Sequence, residues 1–480
     1  MSDLLLIAVL LVPAVAALSL AFVRDYRTGA TLNVTAALLA FAASVALLLG
    51  DRPPAGELLI VDDLNTTFVV LNTLVGFTTS VFSASYIGHE LDSGRLTPVL
   101  LRFYHAMYQV MLGSMSLALL ANNLGLLWVG VEVATLTTVV MVGIYRTEPA
   151  LEAAWKYFIL GSVGIALAFF GTVLVYLAAQ EVLGEGLPAL AWNRVLEVAP
   201  RLDPRLLDLA FVFLLVGYGT KAGLVPFHAW LPDAHAEGPT PISAVLSGLL
   251  LNVALYALLR FKFLLAGNPE AFAPGPLMIL LGLGSLWFSA LMLYRRRDIK
   301  RFFAYSSIEH MGIASFAFGV AGPLANFAGL LHMAMHSLTK SAIFMAVGHV
   351  AQARGTQKIA DLGGLVRTHP MLAVGLGAGM VAIAGLPPFG VFTSEFLVLN
   401  SAFAAVPSLA IPLAIGLLVA LGALLLRFVQ ILFGEPSAQG EPVQAAVWPL
   451  VLHLGLVLIA GVVLPDPLVR WFQHVAALLG

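Results

Sequence analysis

Apolar residues run along the chain in blocks of about twenty, the length that crosses a bilayer as a helix. They do not alternate singly with polar residues, as barrel strands would. Blocks fall at roughly 3–23, 30–50, 64–87, 105–121, 123–145, 152–179 and 207–222 with its continuation. Others fall near 240–265, 275–294, 301–320, 324–350, 370–404, 409–433 and 446–475, so the pattern predicts an all-α polytopic membrane protein of about 14 spans. The first block is not a signal peptide: its start, MSDLLL, carries an acid where a basic segment is needed, and no cleavage site follows.

Two blocks are interrupted. From Gly219 to Asn252 the chain reads GTKAGLVPFHAWLPDAHAEGPTPISAVLSGLLLN, with Lys221 ending one apolar run and Pro226 breaking the helix five residues later. Such a stretch is a surface loop or a broken helix lining a polar path. LPPFGVFTSEF (386–396) places a second Pro-Phe inside a span, and EAAWKYFILGSVG (152–164) matches HSLTKSAIFMAVG (336–348) in carrying an early lysine. Matched, Pro-interrupted spans in two halves point to a transporter built from internal repeats. Against that stands the ordinary abundance of Pro and Gly in membrane helices.

Composition agrees with the pattern. Hydrophobic residues make up 60 % of the chain and charged residues 10 %, where soluble domains carry about 25 %. Cysteine is absent, which excludes disulfides, iron–sulfur ligation and thiolate chemistry in this chain. A net charge of −2 makes nucleic acid an improbable partner. No GxGxxG follows a strand and no haem ligand pair is evident, so no cofactor is expected in the chain. One alternate set of loops gathers Arg24, Arg27, Arg95, Arg102, Arg146, Arg295–Arg297, Lys300, Arg301, Arg354, Lys358 and Arg367. That set should face the cytoplasm of a bacterial inner membrane, leaving both termini on the outer side.

The candidate chemistry lies in ionisable residues within spans, which are functional candidates by default. Glu132 sits in LLWVGVEVATLTTVV, and a bare carboxylate there costs about 2.5–3.5 kcal/mol. Lys221, at similar depth, is the natural partner of opposite sign. Burial weakens any lysine's hold on its proton and a nearby carboxylate strengthens it, so a pair that opens and closes can load and release a proton. A static pair fixing helix register is the plainer alternative. His332, His336 and Lys340 recur every four residues and share a helix face, a spacing suited to a proton wire. Two histidines so spaced can also bind zinc, but the third group is a cation and no HExxH is present, so no metal is expected. Glu309 and His310 lie in SSIEHMG, Glu395 follows the second break, and His228 and His235 flank the first. Each histidine alone could be hydrogen-bonded structure. Together the acids and bases predict a lateral polar axis at the bilayer midplane.

GTKAGLVPFHAWLPDAHAEGPTPISA, RFFAYSSIEHMG and GLPPFGVFTSEF resemble the proton-translocating, antiporter-like subunits of respiratory complex I, Mrp antiporters and membrane-bound hydrogenases. SSIEHMG and LSGLLLNVALYALLR resemble, within that family, the hydrogenase-4 F component. The resemblance implies two inverted five-helix repeats, helices 4–8 (residues 105–265) and 9–13 (274–433), with broken helices 7 and 12. Helices 1–3 (1–104) precede them and helix 14 (446–480) follows, without the long lateral helix of the distal complex I subunit. By the same resemblance Glu132 and Lys221 form the fifth- and seventh-helix pair, and Lys340, His332 and His336 are the eleventh-helix lysine and histidines. Glu395 takes the exit-side position. Asn252 departs from the pattern, standing where many relatives carry a lysine, and it cannot store a proton; water held there, with Glu309 or His310 nearby, would have to bridge. The implied function is movement of protons, or Na⁺, in a redox-driven complex. Nickel–iron and iron–sulfur centres are expected in partner subunits, beside other membrane subunits and a peripheral redox arm. A stand-alone antiporter, an ion-driven inorganic-carbon uptake system and a passive scaffold are the alternatives.

Overall fold

The apolar blocks fold as helices, the structure that satisfies its own backbone hydrogen bonds in lipid. A computed structural model describes residues 2–435 and 446–479; Gly480, the end of the last predicted unit, lies outside them. Six helices open the chain: α1 (Ser2–Leu20), α2 (Tyr26–Leu49), α3 (Asp63–Asp92), α4 (Pro98–Leu120), α5 (Leu124–Val142) and α6 (Glu148–Leu183). After the short α7 (Trp192–Glu197), α8 (Pro204–Ala222) stops at Gly223 in the left-handed region. The chain restarts as α9 (Trp230–Glu237), then α10 (Thr240–Val245), a π-turn at Leu246–Leu250 and α11 (Leu251–Ala266). Next come α12 (Gly275–Arg295), α13 (Ile299–Val320), α14 (Pro323–Arg354) and the short α15 (Leu365–Thr368). The second predicted break divides 370–404 into α16 (Pro370–Ile383) and α17 (Gly390–Ala405); α18 (Pro407–Phe433) follows. The last apolar block is two helices, α19 (Trp448–Val462) and α20 (Asp466–Leu478), set at 79° to each other. Among the described residues only isolated β-bridges occur, and no strand.

Among the described residues, eight segments are long and apolar enough to cross a membrane, or nine if the bent α19–α20 pair counts as one. They are α1, α2, α3, α5, α6, Thr240–Ala266, α12 and α18. The helices of spanning length that miss the criterion are α4, α8, α13 and α14. Three of these four carry candidate site residues, and polarity is what lowers their hydropathy.

Burial sorts the helices into coat and core. The most apolar windows of α1, α2, α6, α12 and α18 are only 33–44 % buried, whereas Thr240–Ala266 is wholly buried. Large apolar side chains such as Leu4, Trp155, Phe169, Leu418 and Val451 face outward, as expected of a surface solvated by lipid. Inside the coat, α14 is buried along nearly its whole length and packs against α3, α13, α16, α17, α19 and α20. Close helix approaches use small residues, as is usual in membranes. At the α12–α13 crossing, a β-carbon on Gly282 would lie 2.6 Å from the Gly312 carbonyl oxygen, and one on Gly312 would meet the Gly282 carbonyl oxygen at 2.6 Å.

Candidate functional site

One pole of the site is built at the first helix break. Asn123 caps α5, its side chain accepting from the N–H groups of Gly125 and Leu126, and Asp203 caps α8 in the same way. These starts fix the register that brings Glu132 and Lys221 together near the end of α8. Lys221 Nζ lies 3.9 Å from Glu132 Oε2, and neither atom has a hydrogen-bond partner. Charge-assisted bonds normally close to about 2.7–2.9 Å, so this pair is in contact but not tightly made. Tyr157 of α6 stands beside it, its ring centroid 5.9 Å from Nζ. Gly161, one turn on, leaves the ammonium its space: a β-carbon there would be 2.8 Å from Nζ. Tyr157 stacks on Trp230, the first residue of α9, at 4.2 Å, and the Trp230 indole donates to the Thr220 carbonyl at 2.8 Å. Residues on either side of the break are thereby tied to the lysine's surroundings.

The middle of the site surrounds the π-turn. Such turns recur at functional positions because one extra residue leaves the helix ladder locally loosened. Side chains of α14 meet it: Ser337 Oγ donates to the Gly248 carbonyl and Ser341 Oγ to the Ala244 carbonyl at 3.3 Å. Asn252 donates to the Met333 carbonyl at 2.9 Å and to Gly248 at 3.4 Å, while its Oδ1 is left without a partner. Ser247 and Ser307 share a hydrogen bond of 2.6 Å. His235 is buried, stacked on Phe344 at 4.7 Å, with both ring nitrogens unpartnered.

The second pole gathers α13, α14 and α17. Lys340 Nζ donates to the Phe303 carbonyl at 3.0 Å and makes no ion pair with Glu309 among the described residues; Glu309 Oε2 has no hydrogen-bond partner. His310 is the hub. Its ring lies 5.1 Å from that of His332 and 5.6 Å from that of His336, and its Nδ1 is 3.1 Å from His332 Nε2 and 3.6 Å from Glu395 Oε1. Glu395 reaches the cluster because α17 restarts at Gly390 after the second break. Gly385, at φ 63°, lies against its carboxyl, where a β-carbon would sit 2.9 Å from Cδ.

Of the ten predicted residues, Glu132 and Lys221 meet, and His310, His332, His336 and Glu395 form one cluster. Lys340 and Glu309 sit between that cluster and the π-turn without pairing, and His235 and Asn252 line the middle separately. The lysines of the two matched segments have different settings. Lys340 is buried, but Lys156 lies at the surface, paired with Glu152 at 2.6 Å and Asp233 at 3.1 Å. Both terminal acids keep an open edge, with side chains 16 % (Glu132) and 12 % (Glu395) exposed, while the eight residues between are 0–3 % exposed.

One buried acid escaped the sequence pattern. Glu90, which lies beyond the third block, is fully buried on α3, accepting from Tyr145 at 3.0 Å and Gln352 at 2.8 Å, with Arg95 3.7 Å away. The signal was a glutamate three residues past an apolar run, which α3 extends to Asp92. The serines of the π-turn and Ser394 were equally silent, since hydroxyls are common in membrane helices.

Residues 121–421, which hold all ten predicted site residues but not Glu90, match the family described as NADH:quinone oxidoreductase/Mrp antiporter, TM. The chain belongs to this family. Over 472 residues it is 59 % identical to a hydrogenase-4 component F homolog of Methylacidiphilum infernorum, covering 98 % of this chain and 99 % of that one. Its fold superimposes on a chain of the membrane-bound sulfane sulfur reductase, an archaeal respiratory membrane complex, with a TM-score of 0.87 at 22 % identity, covering 99 % and 98 %. A chain of respiratory complex I from Thermus thermophilus gives a TM-score of 0.82 at 25 % identity, covering 99 % and 100 %. The protein is a multi-pass, antiporter-like membrane subunit, as its motifs imply.

Proposed function

We propose that this subunit carries protons, or Na⁺, along the buried axis from Glu132 to Glu395 in a redox-driven complex of the hydrogenase-4 type. The observation that carries the reading is the Glu132–Lys221 pair. It holds opposite charges 3.9 Å apart, without other partners, at the end of a broken helix. A pair held this loosely can tighten or part with a small movement. When the carboxylate approaches, the lysine keeps its proton; when it withdraws, the proton passes inward past His235 and the hydroxyl-lined π-turn to Lys340. His310 and His332 then deliver it to Glu395. Glu132, with its open edge, is where a neighbouring subunit would act. The two broken helices serve as matched members of two inverted five-helix repeats, helices 4–8 and 9–13 of a fourteen-span chain. The nickel–iron and iron–sulfur centres belong to partner subunits in a bacterial inner membrane, with both termini of this chain outside.

The test is ion uptake by sealed vesicles holding the purified complex, comparing the native protein with Lys221→Ala. Redox-driven proton uptake, lost in the variant, is the expected result. Uptake unchanged in the variant removes Lys221 from the path and favours a scaffold. Uptake that needs only a Na⁺ or pH gradient points instead to a cation/proton antiporter, the other branch in the family's description.

A further inference from the structure

The hydrogen-bond partners around His310 and His332 bring two ring nitrogens face to face. His310 Nε2 faces the Ile383 carbonyl oxygen at 3.1 Å, and a carbonyl only accepts, so this nitrogen carries the hydrogen. His332 Nδ1 lies 2.9 Å from Ser394 Oγ, which also lies 2.8 Å from the Val391 carbonyl oxygen. With the hydroxyl proton turned to Val391, Ser394 accepts and His332 carries its hydrogen on Nδ1; turned to His332, it leaves that hydrogen on Nε2, facing His310. In the first arrangement the two remaining nitrogens, His310 Nδ1 and His332 Nε2, confront each other as lone pairs at 3.1 Å. Acceptors so placed take a proton or a metal ion between them.

We propose that this cradle is a divalent-metal site of the Zn²⁺ class, with His310 Nδ1, His332 Nε2 and a Glu395 carboxylate oxygen as its three protein ligands. These donor atoms lie within 4.8 Å of one another. Tetrahedral zinc with bonds of about 2.0–2.1 Å sets its ligands about 3.3 Å apart, and the separations from His310 Nδ1 are 3.1 and 3.6 Å. Two imidazoles and a carboxylate suit zinc better than the hard cations. Each imidazole already donates its other N–H to an oxygen, the arrangement that orients histidine ligands. The set combines α13, α14 and α17, so it differs from the His332–His336–Lys340 face that argued against metal. Lys340 lies about 12 Å along the helix from His332, held by the Phe303 carbonyl. Glu309 lies within Coulombic range of Glu395, and the Lys340 ammonium within that of His310. The open edge of Glu395 gives access, and Ser394 and Gly385 complete the walls.

Bound metal would fill the gap between the rings, and it would stop transport if, as proposed above, the ion crosses there. Binding itself does not depend on that reading. The probe is ZnCl₂ added to the chelator-washed complex, with bound zinc counted by element analysis and its ligands read by zinc K-edge absorption. One extra zinc per chain with imidazole scattering, absent in His332→Gln and Glu395→Gln, is expected. Ser394→Ala keeps all three donors and removes only the acceptor that holds His332, so zinc affinity should fall about 10–100-fold. No zinc above background, or equal zinc in the native complex and His332→Gln, overturns the site. Zinc bound at the site with ion uptake undiminished leaves the site standing and overturns the path through it.

Discussion

Glu132→Gln keeps the shape of the carboxylate and removes the charge that Lys221 faces. Redox-driven uptake should fall at least about tenfold, equivalent to about 1.4 kcal/mol, while the complex assembles at its normal level on a native gel. Uptake within twofold of the native protein would show the pair to be structural. This pair was legible in the sequence because sign and depth suffice to match two lone charges in a span. The histidine cluster was only partly legible. A four-residue spacing reports which side chains share a face of one helix, so it grouped His332, His336 and Lys340. What His332 meets is decided by the neighbouring helices, and those are His310 of α13 and Ser394 and Glu395 of α17. Glu90 was missed for a related reason: the apolar run stops before it, but α3 continues one turn into a pocket made by Tyr145 and Gln352.

At the scale of elements, both breaks were readable from Pro and Gly, and both position a site residue. The π-turn was not readable, because LSGLLLN is an ordinary helical string. It is held to α14 by Ser337 and Ser341 from that helix and by Asn252 from α11, and the close approach needs Gly248, where a β-carbon would lie 3.1 Å from the Ser337 carbonyl. Gly248→Ala should therefore destabilise the subunit by about 1–3 kcal/mol through overpacking, seen as a lower unfolding temperature in detergent. An unchanged or raised temperature, as when alanine replaces a freely placed helical glycine, would mean that α10, α11 and α14 are less closely joined than their contacts indicate. Asn252 has a place in this joint as well as on the proposed axis: it fastens the turn to Met333 and leaves Oδ1 without a partner. That dual setting gives a physical reason for an uncharged residue there.

For the whole molecule, the proposed orientation puts on the cytoplasmic side the Lys- and Arg-bearing segments, where Arg95, Lys156, Lys300 and Arg301 meet acids and carbonyls of α3 and α9. The absence of native cysteine makes this testable. Ser93→Cys, at the end of α3, should be shielded from an impermeant maleimide in intact cells, and Glu185→Cys, beyond α6, should react; the reverse pattern would invert the topology. Hydropathy exposed the apolar coat well and the polar core poorly, since burial inside protein removes the need for a helix to be apolar. That division bears on how the chain is made. Each helix leaves the ribosome before its neighbours can shelter it, and a charge at mid-span costs about 2.5–3.5 kcal/mol to a helix inserted alone. α13, with Glu309 and His310, is locked to apolar α12 through the glycine crossing at Gly282 and Gly312. The two are therefore suited to enter the bilayer as a hairpin, the first chaperoning the second. α14 follows with three histidines and a lysine and finds that hairpin already in place, so the order of synthesis is itself part of what allows so polar a centre to exist in a membrane.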